Sequence, residues 1–227
     1  MPRAASIRDE VVQGAALLPM RVTLRAILVI VMLYTIALIG QVGYAVYRHG
    51  DRAPDQMREL LLDAFARSRE PHVALLASDV LYRPVFHWTK VDQAVQDAID
   101  ARETSVWREG SPVAVTYPYA LTAMYATKLI GVRLSHLLLG AGVILVLVGV
   151  SLVDGLVARQ IRKVNVERES ATIFHHAQRL RKASVPLAAL VYCGLPQPLD
   201  PAWVVGPMAA TLVLGVWLQA KYFKKYL

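Results

Sequence analysis

The groups in this chain with chemistry to offer are six histidines, one cysteine and 17 carboxylates, and their spacing decides how much of it is available. His175 and His176 invite a metal-site reading. Adjacent residues on a helix, however, point about 100° apart, and no Cys, Asp or Glu follows at ligand spacing. Cys193 lies in an apolar stretch where a thiolate is costly, so it reads as a packing residue rather than a nucleophile. No Gly-rich phosphate loop, GxSxG elbow or HExxH helix occurs in the sequence. A membrane enzyme built on His175, His176 and Glu169 is one alternative; the expectation is a noncatalytic protein with no cofactor and no metal.

The elements that would position these groups are membrane helices. The 227 residues are 56% hydrophobic and 19% charged, with a mean hydropathy of +0.40, too apolar for a soluble domain of this size. With 13 Gly, 12 Pro and a single Cys, low-complexity disorder, a collagen-like repeat and a disulfide framework are excluded. Residues 26–47, 134–153 and 201–220 are uncharged runs long enough to cross the roughly 30 Å hydrocarbon core at about 1.5 Å per residue. Residues 183–199 form a weaker candidate. They hold Pro186, Pro196 and Pro198, and borrow length from Arg179 to Lys182, whose stems can snorkel. The turn Pro196-Gln-Pro-Leu-Asp-Pro201, with Asp200 as cap and Pro201 as first residue, makes the last two spans a helical hairpin. The predicted fold is therefore all-α, a polytopic membrane protein with four transmembrane helices. The first apolar run is too long for a signal h-region and reads as an uncleaved anchor.

Charge orients the spans. Residues 1–25 carry a net +2, residues 154–182 a net +4 and residues 221–227 a net +3; residues 48–133 are neutral, and the hairpin turn holds only Asp200. The whole +8 surplus thus lies in segments that an N-in, C-in arrangement puts in the cytoplasm. This topological cause leaves no need for direct nucleic-acid binding. The lipid bilayer is the expected partner, and the expected location is the bacterial inner (cytoplasmic) membrane.

Residues 48–133 form an extracytoplasmic helical insertion between the first two spans. Pro54 opens a helix with Met57, Leu60, Leu61, Ala64 and Phe65 on one face, ending before Pro71; Val91, Ala94, Val95, Ala98 and Ile99 repeat the pattern. Gly110, Pro112 and Pro118 mark irregular chain, after which Tyr119–Arg133 runs as helix into the second span. Tyr44, Tyr47, Tyr117, Tyr119 and Tyr125 suit an interfacial belt. In the basic loop, residues 171–182 put Ile173, Phe174, Ala177 and Leu180 on one face and His175, Arg179 and Lys182 on the other, which suits either a helix on the anionic leaflet or a simple connector. Trp217, Lys221, Tyr222, Phe223, Lys224, Lys225 and Tyr226 read as an aromatic-cationic anchor. Small-residue pairs such as Ser151/Gly155 and Thr211/Gly215 allow close packing within the chain or in a homo-oligomer. No span carries a carboxylate, lysine or arginine near its middle, and His136 sits within about one turn of the interface, which disfavours a channel or transporter.

The C-terminal third carries a more specific pattern: Leu152-Val-Asp-Gly-Leu-Val157, then Arg159, Arg162, Glu167-Arg-Glu-Ser170, Phe174-His-His176-Ala177, Arg179, the proline-marked hairpin and Phe223-Lys-Lys-Tyr-Leu227. Over residues 150–227 this resembles the integrating conjugative element membrane proteins, a four-helix family of unassigned function. It departs from that pattern at Lys163-Val-Asn-Val166, where a glycine is common. The resemblance implies an inner-membrane accessory encoded beside a type IV secretion apparatus and its coupling ATPase, serving conjugative DNA transfer. It also singles out Asp154, Arg159, Arg168, Glu169, Ser170, His175, His176 and Arg179 as structural or partner-docking positions. Asp154 is placed to pair with Arg159 or a residue of the following helix, and Ser170 to cap that helix.

Overall fold

Proline and glycine punctuate this chain into helices. In the computed structural model, which describes residues 3–103, 112–165 and 171–223, seven α-helices follow one another. They are α1 (Arg3–His49), α2 (Ala53–Ala66), α3 (Pro71–Tyr82), α4 (Val91–Glu103), α5 (Pro112–Val164), α6 (Ala171–Gly194) and α7 (Pro201–Lys221). Pro54, Pro71, Pro112 and Pro201 each occupy the first turn of a helix, where the missing N–H is not needed. Gly50, at φ +54°, lets the chain turn out of α1 through a 3-10 turn (Gly50–Arg52). Between α3 and α4, Pro84 lies in a π-helical turn (Arg83–His87) whose closing bond runs from the Trp88 N–H to the Arg83 carbonyl at 2.9 Å.

Two sequence expectations are corrected here. Pro112 and Pro118 do not interrupt the chain: Pro112 opens α5, and Pro118 sits inside it near that end, forfeiting one backbone bond while the Thr122 hydroxyl donates to its carbonyl at 2.6 Å. Pro71, read only as the stop of the preceding helix, also starts a further one, α3, which periodicity had not indicated. Gly110 lies outside the described residues.

Up to Ile36 the chain forms one unit and from Ala37 onward another. In the first, the apolar side chains from Leu24 to Met32 and at Ile36 are largely exposed. The second is built on α5. Its N-terminal half buries Ala126, Leu129 and Val132 completely against Met57, Leu60, Leu61 and Ala64 of α2 and Ala74 of α3, so the predicted face of α2 is the buried one. Val95 and Ala98 of α4 are buried as well. The C-terminal half of α5 packs against α7, and α7 against α6, which confirms the hairpin, with the Asp200 carboxylate accepting the Ala202 N–H at 2.8 Å. Among the described residues no strand is present.

Three stretches are long and apolar enough to cross a membrane, one in α1 from Thr23, one in α5 from Thr116, and α7. The outward faces of the last two expose Val143, Leu145, Val146, Val150, Trp203 and Leu214, a continuous apolar surface that suits lipid rather than water. The segment expected as the third span does not qualify by the same measure. Its apolar helical part runs only from Ala183 to Gly194, about 12 residues or roughly 18 Å, because Pro196 and Pro198 keep the following residues out of the helix.

The crossing of α3 over α5 depends on one missing side chain. A Cβ at Gly131 would lie 2.4 Å from the Ser78 Cα and 2.7 Å from its N, backbone atoms that cannot yield. Gly131→Ala is therefore expected to lower stability by about 1–3 kcal/mol despite the better helix propensity of alanine. Gly142→Ala, with open space around the site, should not lower it. Thermal unfolding of both variants in detergent checks this, and equal melting temperatures would contradict the close approach.

Candidate functional site

Two polar clusters lie at opposite ends of the α5–α6–α7 assembly. The first contains much of the resemblance motif. Gly155 lets α7 come close, since a Cβ there would meet the Ala220 Cβ at 2.7 Å and the Trp217 carbonyl at 2.8 Å. One turn earlier the Ser151 hydroxyl donates to the Val213 carbonyl at 2.7 Å. With the backbones so close, the Trp217 indole N–H donates to Asp154 at 2.6 Å. The aspartate is thus held by the last helix, rather than by Arg159 or α6 as expected from the sequence.

Below this contact, cations stack on aromatic rings. The Arg159 guanidinium lies 5.3 Å from the Phe223 ring centre, Arg162 lies 4.8 Å from Tyr222, and Lys221 lies 4.8 Å from Trp217. The residues read as a lipid anchor therefore pack on the arginines of α5, as far as Phe223; Lys224, Lys225 and Tyr226 lie outside the described residues. Arg162 is only 4% exposed, and its Nη1, like the Nε of Arg159, has no hydrogen-bond partner among the described residues. Buried donors left unpaired are costly.

The remaining motif residues divide. His175 meets the edge of Phe174 at 5.7 Å, and Phe174 meets Phe223 at 6.2 Å, so His175 borders the stacked cluster. His176 is exposed, its Nδ1 2.8 Å from the Thr172 carbonyl one turn back, and Arg179 is exposed. Arg168, Glu169 and Ser170 lie outside the described residues. Among those described, no group of three or more His, Cys, Asp or Glu comes together as a metal site would require.

The second cluster was missed by the sequence reading, which took Arg133 only as the last residue of the helical run leading into the second span. Arg133 lies within α5, is 2% exposed, and donates to the carbonyls of Tyr192 at 2.7 Å, Leu195 and Gln197. The Tyr192 carbonyl lies in the last turn of α6, where no helical N–H serves it, while those of Leu195 and Gln197 also accept the Gln197 and Leu199 N–H groups of the turn at 2.9 and 2.8 Å. The guanidinium also lies 5.4 Å from the Tyr192 ring. The Tyr192 hydroxyl and His136 Nδ1 are 2.8 Å apart, and His136 Nε2 lies 2.8 Å from the Ser68 hydroxyl. Gln41 of α1 donates to the Cys193 carbonyl. A signal was present: Pro196 and Pro198 lack N–H groups, so the turn offers more acceptors than donors, and Arg133 is the last cation before the uncharged run. Arg133→Gln would take the guanidinium donor from the buried Tyr192 carbonyl, and we expect a loss of about 1–3 kcal/mol. Arg133→Lys, with a single ammonium, should recover only part of it. Unfolding in detergent measures both, and a glutamine variant as stable as the parent would refute the role.

The comparisons with known proteins come to one match. The family model described as "IncC plasmid conjugative DNA transfer protein DtrJ-like" covers residues 62–224, from α2 to just beyond α7, and so both clusters apart from Gln41. No curated protein and no solved structure matches the chain. The general sense of the resemblance, a conjugation-associated protein, is supported, over a stretch far longer than residues 150–227. The chain belongs to the DtrJ-like family of plasmid conjugative DNA transfer proteins.

Proposed function

We propose that the protein is a noncatalytic inner-membrane accessory of conjugative transfer. In this reading it holds a basic cytoplasmic surface against a soluble component of the machinery, such as the coupling ATPase of a type IV secretion-like apparatus in an integrating conjugative element. The observation that carries the reading is the distribution of charge over the helices. Arg159, Arg162, Arg181, Lys182 and Lys221 gather where α5, α6 and α7 meet, while the described residues 48–103 and 112–133 at the other end together carry no net charge. Lipid-facing helices with cations at one end are retained with that end in the cytoplasm.

The reading takes α6 as a fourth span. Its apolar helical part is short, but α6 runs alongside α7, where a Cβ at Gly215 would lie 3.2 Å from the Arg181 Cβ, and Gly215 lies only six residues, roughly 9 Å, from Lys221. Arg179, Arg181 and Lys182 can reach the headgroups from that depth by extending their stems. The helical cap of α2, α3 and α4 then lies outside the cytoplasm, available to further envelope components, and a second copy is a possible partner for the small-residue faces. A channel is not favoured, because Arg133, the most deeply buried arginine among the described residues, donates to backbone carbonyls.

A donor strain lacking the gene should lose transfer, and the intact gene should restore it. A copy with His175, His176 and Arg179 changed to alanine should reach the membrane at normal abundance and restore transfer at least about tenfold less well, if these exposed residues dock a partner with hot-spot strength. Full transfer without the gene would end the proposal.

A further inference from the structure

The stacked cluster is continuous with an apolar groove of about 370 Å³ between α5, α6 and α7, walled by Leu152, Leu156, Phe174, Val216 and Phe223, with Arg181 on its edge. Leu152, Leu156 and Arg159 follow one another at i, i+4 and i+7, so the groove leads along α5 to a guanidinium. Phe223 joins the two features, lining the groove with its ring while Arg159 stacks on it.

The groove is greasy and its surroundings are cationic. Arg181 is exposed, and no hydrogen bond or ion pair engages its guanidinium among the described residues; the Arg159 guanidinium lies against Phe223, whose ring lines the groove. Asp154, the one carboxylate within α5, α6 and α7, is already held by the Trp217 indole. The charge here favours an anion, and the shape favours an anion that carries a hydrocarbon chain.

We propose that this groove binds one anionic phospholipid of the cytoplasmic leaflet, an acyl chain lying along Leu152, Leu156 and Val216 and the phosphate between Arg181 and Arg159. Such a lipid would fill the apolar notch and set an anion beside the Arg181 and Arg159 guanidinium groups. The inference rests on the membrane reading above but not on a role in transfer, so a normal transfer phenotype would leave it standing.

Native mass spectrometry of the full chain, released from bilayers of equal phosphatidylglycerol and phosphatidylethanolamine, measures it. The protein should retain phosphatidylglycerol over phosphatidylethanolamine on the order of tenfold. Arg181→Gln, a surface change that α6 tolerates, should cut that preference several-fold, and the Arg159→Gln/Arg181→Gln pair should abolish it. Arg69→Gln, at the opposite end, should leave it unchanged, and excess inorganic phosphate should not displace the lipid. Equal retention of the two lipids would overturn the proposal. So would an equal loss in the Arg69 variant, which would reveal mere surface charge, or displacement by phosphate alone, which would reveal a free-anion site.

Discussion

A buried guanidinium serving the end of a neighbouring helix is the interaction on which the second unit depends. α6 stops at Gly194 because Pro196 and Pro198 cannot continue it, and its last carbonyls finish among packed side chains rather than in water. Arg133 reaches them from α5, which also carries the cap on its N-terminal half and α7 on its C-terminal half. One residue therefore relates the cap to the hairpin. An arginine suits the position better than a lysine, since its fork can address several carbonyls at once while its plane rests near Tyr192.

The two ends of α5 use the same residue type differently. At Arg133 the donors are matched by backbone acceptors, and the result is a fixed joint. At Arg159 and Arg162 the charges rest on aromatic rings, which offset the burial of the cation but accept no N–H in the plane of the guanidinium. The joint spends its guanidinium on three backbone carbonyls, whereas at the basic end no described carboxylate pairs with Arg159 or Arg162. This difference, together with the sorting of charge along the chain, directs the functional reading to the basic end.

Much of this was legible from residue patterns. The long uncharged runs gave α1, α5 and α7, the i, i+3, i+4 spacing at Met57 to Ala64 gave the buried face of α2, and Asp200-Pro201 gave the start of α7. What escaped depended on tertiary contact. α3 begins at a proline that also closes the previous segment, and its packing requires Gly131 about 50 residues away, a pairing that no local period reports. Pro118 resembles a breaker but falls near a helix end. Arg133 read only as the last residue of a helical run until the hairpin carbonyls were brought to it. Asp154 was expected to find a cation, but close approach at Gly155 presents an indole N–H first.

The central claim is that the cations of α5, α6 and α7 face the cytoplasm while the helical cap faces away. Single cysteines placed at residue 90 and at residue 165 in an otherwise cysteine-free chain, labelled in intact cells with a membrane-impermeant maleimide, test it most directly. The account predicts labelling at 90 before the membrane is opened and at 165 only afterwards. The reverse pattern, or labelling of both in intact cells, would contradict it.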